Sequence, residues 1–355
     1  MYDRSMVSDF YKILQWYDAL DDGEGRVPAA GLAVEPLAGG LINATFALGR
    51  RHVLQRLHPI FAPAVNADIA SLLPELRAGG VPVPELVASR AGEPGVVVDG
   101  EAWRIMTRLP GKTLHRLENA EQARRAGAMI GRFHSAVRGS QHVFAFSRPG
   151  AHDTDAHLAK LAAALERQPD HRYHREVAEI ASDLAPMWRA WGRPPRLPRR
   201  LIHGDLKVSN LLFDGDDVCG VIDLDTMGWS SLDIELGDAM RSWCNPGRED
   251  DPQPRFDVEM FAAAMQGYLP VVGSWLQADE VAALVPAVQR IALELAARFA
   301  GDALDESYFG WDASRFASRG EHNLVRARNQ WQLARQIGLQ RAAMERAVAA
   351  CLPAT

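Results

Sequence analysis

Between Leu201 and Asp225 the chain reads LIHGDLKVSNLLFDGDDVCGVIDLD, and within it His203, Asp205, Lys207, Asn210 and Asp223 have the types and spacing to do chemistry. The first four fall in a polar loop after a short apolar run. Two further apolar runs flank Asp214-Gly215, a pair that tolerates the positive φ of tight hairpin turns. The antiparallel return of such a hairpin brings Asp223 to the edge that carries Asn210. Two oxygen ligands beside a third acidic side chain, Asp205, suit a hard cation such as Mg²⁺.

The rest of the chain must position these groups. With 355 residues, 47% hydrophobic and 24% charged, it has ample material for a buried core and the composition of a soluble globular protein. A formal net charge of -6 argues against a nucleic-acid binder and makes the arginine-rich connector GRPPRLPRR a solvated surface. Cys219, Cys244 and Cys351 are widely spaced and form no CxxC pair, which fits a reducing cytoplasm. The N-terminus lacks an apolar stretch of signal or membrane-span length, so no membrane partner is expected. Its Phe10, Ile13, Leu14 and Tyr17 recur at helical spacing and predict an amphipathic helix packed on the body.

From Gly31 the pattern changes to strands: AVEPL, a turn at Gly39-Gly40, a second strand, a Gly49-Arg50 turn and a third strand ending in HVLQRLH. Residues 63–76 read as a helix with a stop or kink at Pro74. GVVVDGEAWRIMTRL then reads as a hairpin around Asp99-Gly100, and after Pro110-Gly111 helices dominate. The division expected is an N-terminal helical segment over 1–30, a small sheet lobe over 31–110 and a larger, mostly helical lobe over 111–355.

Several tempting signals lead elsewhere. Gly111-Lys112-Thr113 has the ending of a Walker A loop, but the glycine required five positions earlier is Met106, so no P-loop is expected. His152, Asp153, Asp155 and His157, like His171 and His174, lack a structural-zinc complement and read as solvated loops. His134 reads as a hydrogen-bonded core histidine. Asn43-Ala44-Thr45 has the form of a glycosylation sequon with no secretion signal to expose it.

The ordered set of a Gly-Gly hairpin, a third strand with a basic residue, a strand leading into a hinge, HGDLKVSN and VIDLD resembles the aminoglycoside phosphotransferase-like branch of the protein-kinase fold. Within that branch HVLQRLH, VIDLDT, GDAMRSW and NLVRARNQWQL are most similar to sugar 1-kinases such as N-acetylhexosamine kinases. The chain departs from protein kinases in having no GxGxxG, no APE and almost no room for an activation loop, so a protein substrate is not expected. The resemblance implies an α+β, bilobal fold that binds ATP and Mg²⁺.

The resemblance also implies roles. Asp205 orients the acceptor hydroxyl and takes its proton, Lys207 reaches the transferring phosphate, and His203 braces the loop. Asn210 and Asp223 hold Mg²⁺. Gly39 and Gly40 approach the phosphates. Arg56 stands for the strand lysine, with Asp68 preferred to Glu75 as its helix partner. Met106, Thr107 and Leu109 form the hinge for the adenine. Asp225, Asp233, Glu235 and Asp238 make the far side of the site acidic, with Asp238 capping a helix that starts there. Arg241, Asn245 and Tyr308, with Asp225, are candidate acceptor contacts by position. The expected activity is phosphorylation of a small-molecule hydroxyl, foremost the anomeric oxygen of a sugar or N-acetylated amino sugar. Phosphorylation of an aminoglycoside or other antibiotic is the first alternative, and a nucleotide-binding pseudokinase the second. ATP against GTP and the oligomeric state stay open.

Overall fold

The computed structural model describes residues 10–37, 42–147 and 152–352. Residues 10–14 form a helical turn whose Phe10, Ile13 and Leu14, with Tyr17 beyond them, are buried, as the helical spacing predicts. After the two-stranded ribbon β1 (Leu20–Asp21) and β2 (Arg26–Val27) comes an antiparallel sheet. Its strands are β3 (Val34–Pro36), β4 (Ala44–Leu48), β5 (His52–Arg56), β6 (Val96–Val98) and β7 (Glu101–Thr107), in the spatial order β3-β4-β5-β7-β6. The β6–β7 turn places Asp99 and Gly100 at φ 51° and 83°, the positive pair that the Asp-Gly sequence allows.

One face of this sheet packs on the N-terminal turn. Phe10, Ile13, Leu14 and Tyr17 join Phe46, Leu48, Leu54, Trp103 and Ile105 in one apolar cluster, with the Phe10 and Phe46 rings edge-on at 4.9 Å. The first segment is therefore part of the sheet's own core. The opposite face looks toward helix α1 (Val65–Ala78), whose Val65, Ile69, Leu72 and Leu76 belong to the larger core of the second lobe. This helix runs through Pro74, where a stop or kink was expected. Proline forfeits one bond to the preceding turn, and the apolar face buried at Leu72, Leu73 and Leu76 outweighs it. The helix ends at Gly79, where an added Cβ would lie 2.3 Å from the Cβ of Ala136.

The larger lobe adds β8 (Lys112–Thr113), α2 (Ala120–Val137), α3 (Thr154–Arg167), α4 (His174–Trp191), β9 (Arg200–Ile202), β10 (Leu211–Asp214), β11 (Asp217–Val221) and β12 (Gly228–Ser230). Helices α5 (Leu232–Trp243), α6 (Val258–Val272), α7 (Ala278–Asp305) and α8 (Arg319–Ala349) complete it. Lys112-Thr113, the false Walker ending, pairs with β10 as a strand. Helices α2 and α6 touch backbone to backbone: a Cβ on Gly127 would lie 2.1 Å from the Ala264 oxygen, and one on Gly267 1.9 Å from the Arg124 oxygen. The result is the expected α+β, two-lobed architecture. Among the described residues no helix is long and apolar enough to cross a membrane.

Candidate active site

The polar loop after β9 is held from below by one carboxylate. Glu235 on α5 accepts from the backbone N–H of His203 at 2.8 Å and of Gly204 at 2.9 Å. Its Oε1 also faces Nε2 of the buried His134, whose Nδ1 meets the Tyr268 hydroxyl at 3.0 Å. His134 is thus the core histidine expected. Gly204 has φ +85°, and a Cβ there would lie 2.3 Å from the Thr226 carbonyl oxygen, so the loop requires glycine. The fully buried His203 bridges the loop and the hairpin. Its Nε2–H donates to Ile222 O at 2.9 Å while Nδ1 accepts from Asp205 N at 3.3 Å, an arrangement that places it as a brace away from the reacting groups.

Asp205 is partly exposed, and its Oδ2 accepts from Lys207 Nζ at 2.7 Å and Asn210 Nδ2 at 3.1 Å. Asn210 Nδ2 also donates to Asp205 O at 2.7 Å, which turns its Oδ1 away from Asp205. Burial alone would lower the Lys207 pKa, but the carboxylates of Asp205, Asp223 and Asp238 outweigh it and hold the ammonium charged. From Asn210 the chain enters the β10–β11 hairpin, which turns at Gly215 (φ 60°) and returns so that Ile222 N donates to Asn210 O at 2.9 Å. Asp223, the next residue, is in the left-handed region at φ 65°, ψ 53°, which few residues other than Gly, Asn and Asp adopt. The Asp223 pKa is pushed up first by burial and then by the charges of Asp225 and Asp205, against the opposing pull of Lys207 and His203. A buried carboxylate so crowded by others is a hard oxygen donor, and it fits a divalent cation. Among the described residues no group of three His, Cys, Asp or Glu side chains forms a metal cage.

The cation on the sheet is not where the sequence suggested. Arg56 lies on the outer face of β5, half-exposed, with Nη1 2.9 Å from Glu101 and its guanidinium 5.8 Å over the Trp103 ring. Strand parity explains the correction: Arg56 shares the face of Leu54, which packs on the N-terminal turn, so it points away from Asp223. Gln55 points the other way, and directly across the ladder from it is Arg104 on β7. The buried Arg104 donates to both oxygens of Asp225, at 2.5 and 2.9 Å, to Asn66 Oδ1 at 3.2 Å and to Gln55 Oε1 at 2.6 and 3.0 Å. Replacing Arg56 by Ala is therefore expected to cost no more than about 1 kcal/mol, as exposed pairs do. It should also leave the KM for nucleotide unchanged; a large rise in that KM would return Arg56 to the site.

Other expectations change with burial. Asp225 has a side-chain exposure of 0% and is held by Arg104 and by Asn43 Nδ2 at 2.6 Å, so it contacts the opposite lobe and not an acceptor. Asp68 accepts from His142 Nε2 and from the backbone N–H of Ala145 and Phe146, all at 2.9 Å; it anchors the segment after α2 and does not pair with Arg56. Glu75 accepts from Ser140 Oγ at 3.0 Å. Helix α5 begins at Leu232, so Asp238 is in its interior and caps nothing. Asp233 and Glu235 are buried and do not form an acidic wall. His152 meets Glu294 at 3.0 Å, Asp153 caps α3 through Ala156 N, and Asp155 accepts from Trp188 Nε1, so this group starts a helix where a solvated loop was expected.

Of the remaining candidates, Met106 and Thr107 end β7, and Thr107 N–H already donates to Glu85 O at 2.9 Å. Leu109 lies over Gly220 of β11, near enough that a Cβ on Gly220 would meet its Cδ1 at 2.7 Å. Arg241 donates to Asp238 and Glu249, Asn245 is buried with its Oδ1 on Gly247 N, and Tyr308 is exposed beside Phe309. Gly39 and Gly40 fall outside the described residues.

A small antiparallel sheet over a helical lobe, with a His-x-Asp loop and a returning hairpin at the junction, defines the class: the two-lobed, protein-kinase-like phosphotransferases. Residues 33–271 match the phosphotransferase enzyme family, and the chain belongs to that family. It is 32% identical over 213 residues to a homoserine kinase of Methylobacterium radiotolerans, a match that takes in 60% of this chain and 62% of that protein. The chain thus spans about three fifths of that relative's length. Among solved structures it superposes on a microcompartment-associated aminopropanol kinase with a TM-score of 0.63 at 19% identity, covering 96% of this chain and 98% of that one. It superposes on an amicoumacin kinase, in complex with AMP-PNP and Ca²⁺, with a TM-score of 0.62 at 17% identity, covering 93% of each chain.

Proposed function

We propose that this protein is a kinase that uses ATP and a divalent cation, Mg²⁺ in the first place, to phosphorylate a hydroxyl of a small molecule. The observation that carries this reading is the Asp205 carboxylate, held by Lys207 and Asn210, with Asp223 directly following Ile222, whose N–H donates to Asn210 O. In the proposed reaction Asp205 takes the proton of the acceptor hydroxyl as that oxygen forms its bond to the γ-phosphorus. The bond from phosphorus to the bridging oxygen breaks, and ADP leaves. Lys207 keeps its charge beside the transferring phosphoryl group, and Asn210 Oδ1 with Asp223 would hold the metal. When bound, that metal supplies charge neutralisation on the phosphate oxygens.

The relatives' printed names point to hydroxyls on small amines and amino acids, so we place these acceptors ahead of the anomeric sugar oxygen. The intact set of Asp205, Asn210 and Asp223 favours an enzyme over a nucleotide-binding pseudokinase. The test is ADP release with MgATP over homoserine, short amino alcohols, hexoses, N-acetylhexosamines and aminoglycosides. Tight nucleotide binding with no turnover on any of them would sink the kinase reading. In the same assay Asp223→Asn is expected to raise the Mg²⁺ concentration for half-maximal rate roughly tenfold or more, because it removes the one charged ligand. An unchanged Mg²⁺ requirement would remove Asp223 from the metal site.

A further inference from the structure

After α2 the chain runs as an extended strap, residues 140–146, clamped between the two lobes. Its side chains alternate: His142, Phe144 and Phe146 are half-buried, while Gln141, Val143 and Ala145 are exposed, the period of two of an extended segment. One side of the strap is tied to helix α1. Ser140 Oγ donates to Glu75 Oε1 at 3.0 Å, and Asp68, only 3% exposed, takes His142 Nε2 and the backbone N–H of Ala145 and Phe146, each at 2.9 Å. A carboxylate that accepts from backbone N–H groups makes the stronger, charge-assisted kind of bond. The Phe146 ring also meets Phe61, just ahead of α1, edge-on at 5.9 Å.

The other side of the strap rests on the stretch that follows Asp223. Trp229 Nε1 donates to His142 O at 3.0 Å. Phe144 and Phe146 line one small pocket with Leu224 and Met227 and with Val65 and Ile69 of α1. This stretch is what places Asp223. Ahead of it Ile222 N–H donates to Asn210 O; behind it Thr226 Oγ1 donates to His203 O at 2.9 Å, and Trp229 pairs with Leu201 of β9.

We propose that Asp68 is a positioning residue for the metal site: by fastening residues 140–146 between α1 and Leu224–Trp229, it fixes the backbone that carries Asp223. This role rests on the kinase reading for what Asp223 binds. Groups that hold a metal ligand from behind typically matter about 10–100-fold in metal affinity. A carboxylate that only joined the lobes would lower the unfolding midpoint and leave that affinity alone. One that sets the place of Asp223 changes the affinity in molecules that are still folded.

The test follows the Mg²⁺ dependence of AMP-PNP binding to the full chain by calorimetry, which needs no acceptor, beside kcat in the ADP-release assay. Asp68→Ala removes all three bonds to the strap and is expected to raise the Mg²⁺ concentration for half-maximal binding about tenfold. Asp68→Asn keeps an oxygen for a backbone N–H and should fall between it and the wild type. Trp229→Phe, which removes only the bond to His142 O, should shift the requirement in the same direction. Combined with Asp68→Asn it should give less than the product of the two separate shifts, because both act through the strap. Asp257→Ala, which uncaps α6, is the control: a lower unfolding midpoint with an unchanged Mg²⁺ requirement. Wild-type Mg²⁺ dependence in a folded Asp68→Asn or Asp68→Ala, or shifts that multiply independently, would overturn the proposal. If Asp68→Ala does not fold, Asp68→Asn and Trp229→Phe decide it. Binding that weakens in the Asp68 variants, with no turnover of any acceptor by the wild type, would uphold the positioning role and sink the kinase reading. AMP-PNP binding that ignores Mg²⁺ in the wild type would sink both.

Discussion

Asp205→Asn is expected to lower kcat by about 10²–10⁴-fold, the usual contribution of a positioned general base, while nucleotide affinity stays near that of the wild type. The substitution is nearly isosteric, and an amide oxygen can still accept from Lys207 and Asn210, which hold Oδ2 at 2.7 and 3.1 Å. The loop should therefore keep its shape: the bonds that fix it run through Glu235 to the backbone of His203 and Gly204, and through His203 to Ile222, none of which uses the Asp205 carboxylate. What the amide cannot do is take the proton of the acceptor hydroxyl. A fall in kcat with unchanged KM for ATP and unchanged calorimetric affinity for AMP-PNP is the signature of a group that acts in the transition state alone. Full activity in this variant would overturn the role assigned to Asp205, and loss of nucleotide binding would recast it as a loop-forming residue.

The parts of this site legible in the sequence are those that local rules govern. Gly215 announces the hairpin because it takes the positive φ of the turn, although the turn falls at Gly215-Asp216, one residue later than expected, with Asp214 ending β10; the short return puts Asp223 next to Ile222, whose N–H donates to Asn210 O. The buried spacing of Phe10, Ile13, Leu14 and Tyr17 is equally local. Arg104 was invisible for the opposite reason. It stands in EAWRIMT among apolar neighbours, and its partners Gln55, Asn66 and Asp225 lie 49, 38 and 121 residues away. The outward turn of Arg56 does have a sequence signal: in a strand, Leu54 and Arg56 share a face, so an apolar anchor at Leu54 turns Arg56 outward. The start of α5 was misplaced because its N-cap, Ser231, makes no side-chain cap bond, and the acidic run behind it mimics a first turn.

The Arg104–Asp225 pair should dominate stability in the same way that Asp205 dominates the chemistry. Arg104→Met is expected to destabilise the protein by about 3–5 kcal/mol, read as a shift of the denaturation midpoint, because it strands a carboxylate with a side-chain exposure of 0%. Every one of the five guanidinium donors is used: Nε and Nη2 on Gln55, Nη1 on Asn66, and both terminal nitrogens on Asp225. Asn43 alone would then remain on Asp225, and a single amide at 2.6 Å does not neutralise a buried charge. Adding Asp225→Asn to Arg104→Met should recover part of the loss by removing that charge, so that the two substitutions together cost less than the sum of each alone. The pair also joins β7 of one lobe to the residue two positions after Asp223. If it fixes Asp223 in its left-handed conformation, Arg104→Met should raise the Mg²⁺ requirement of the molecules that remain folded. A variant that unfolds early yet keeps the wild-type Mg²⁺ dependence would show that the clamp holds the lobes together without setting the metal site.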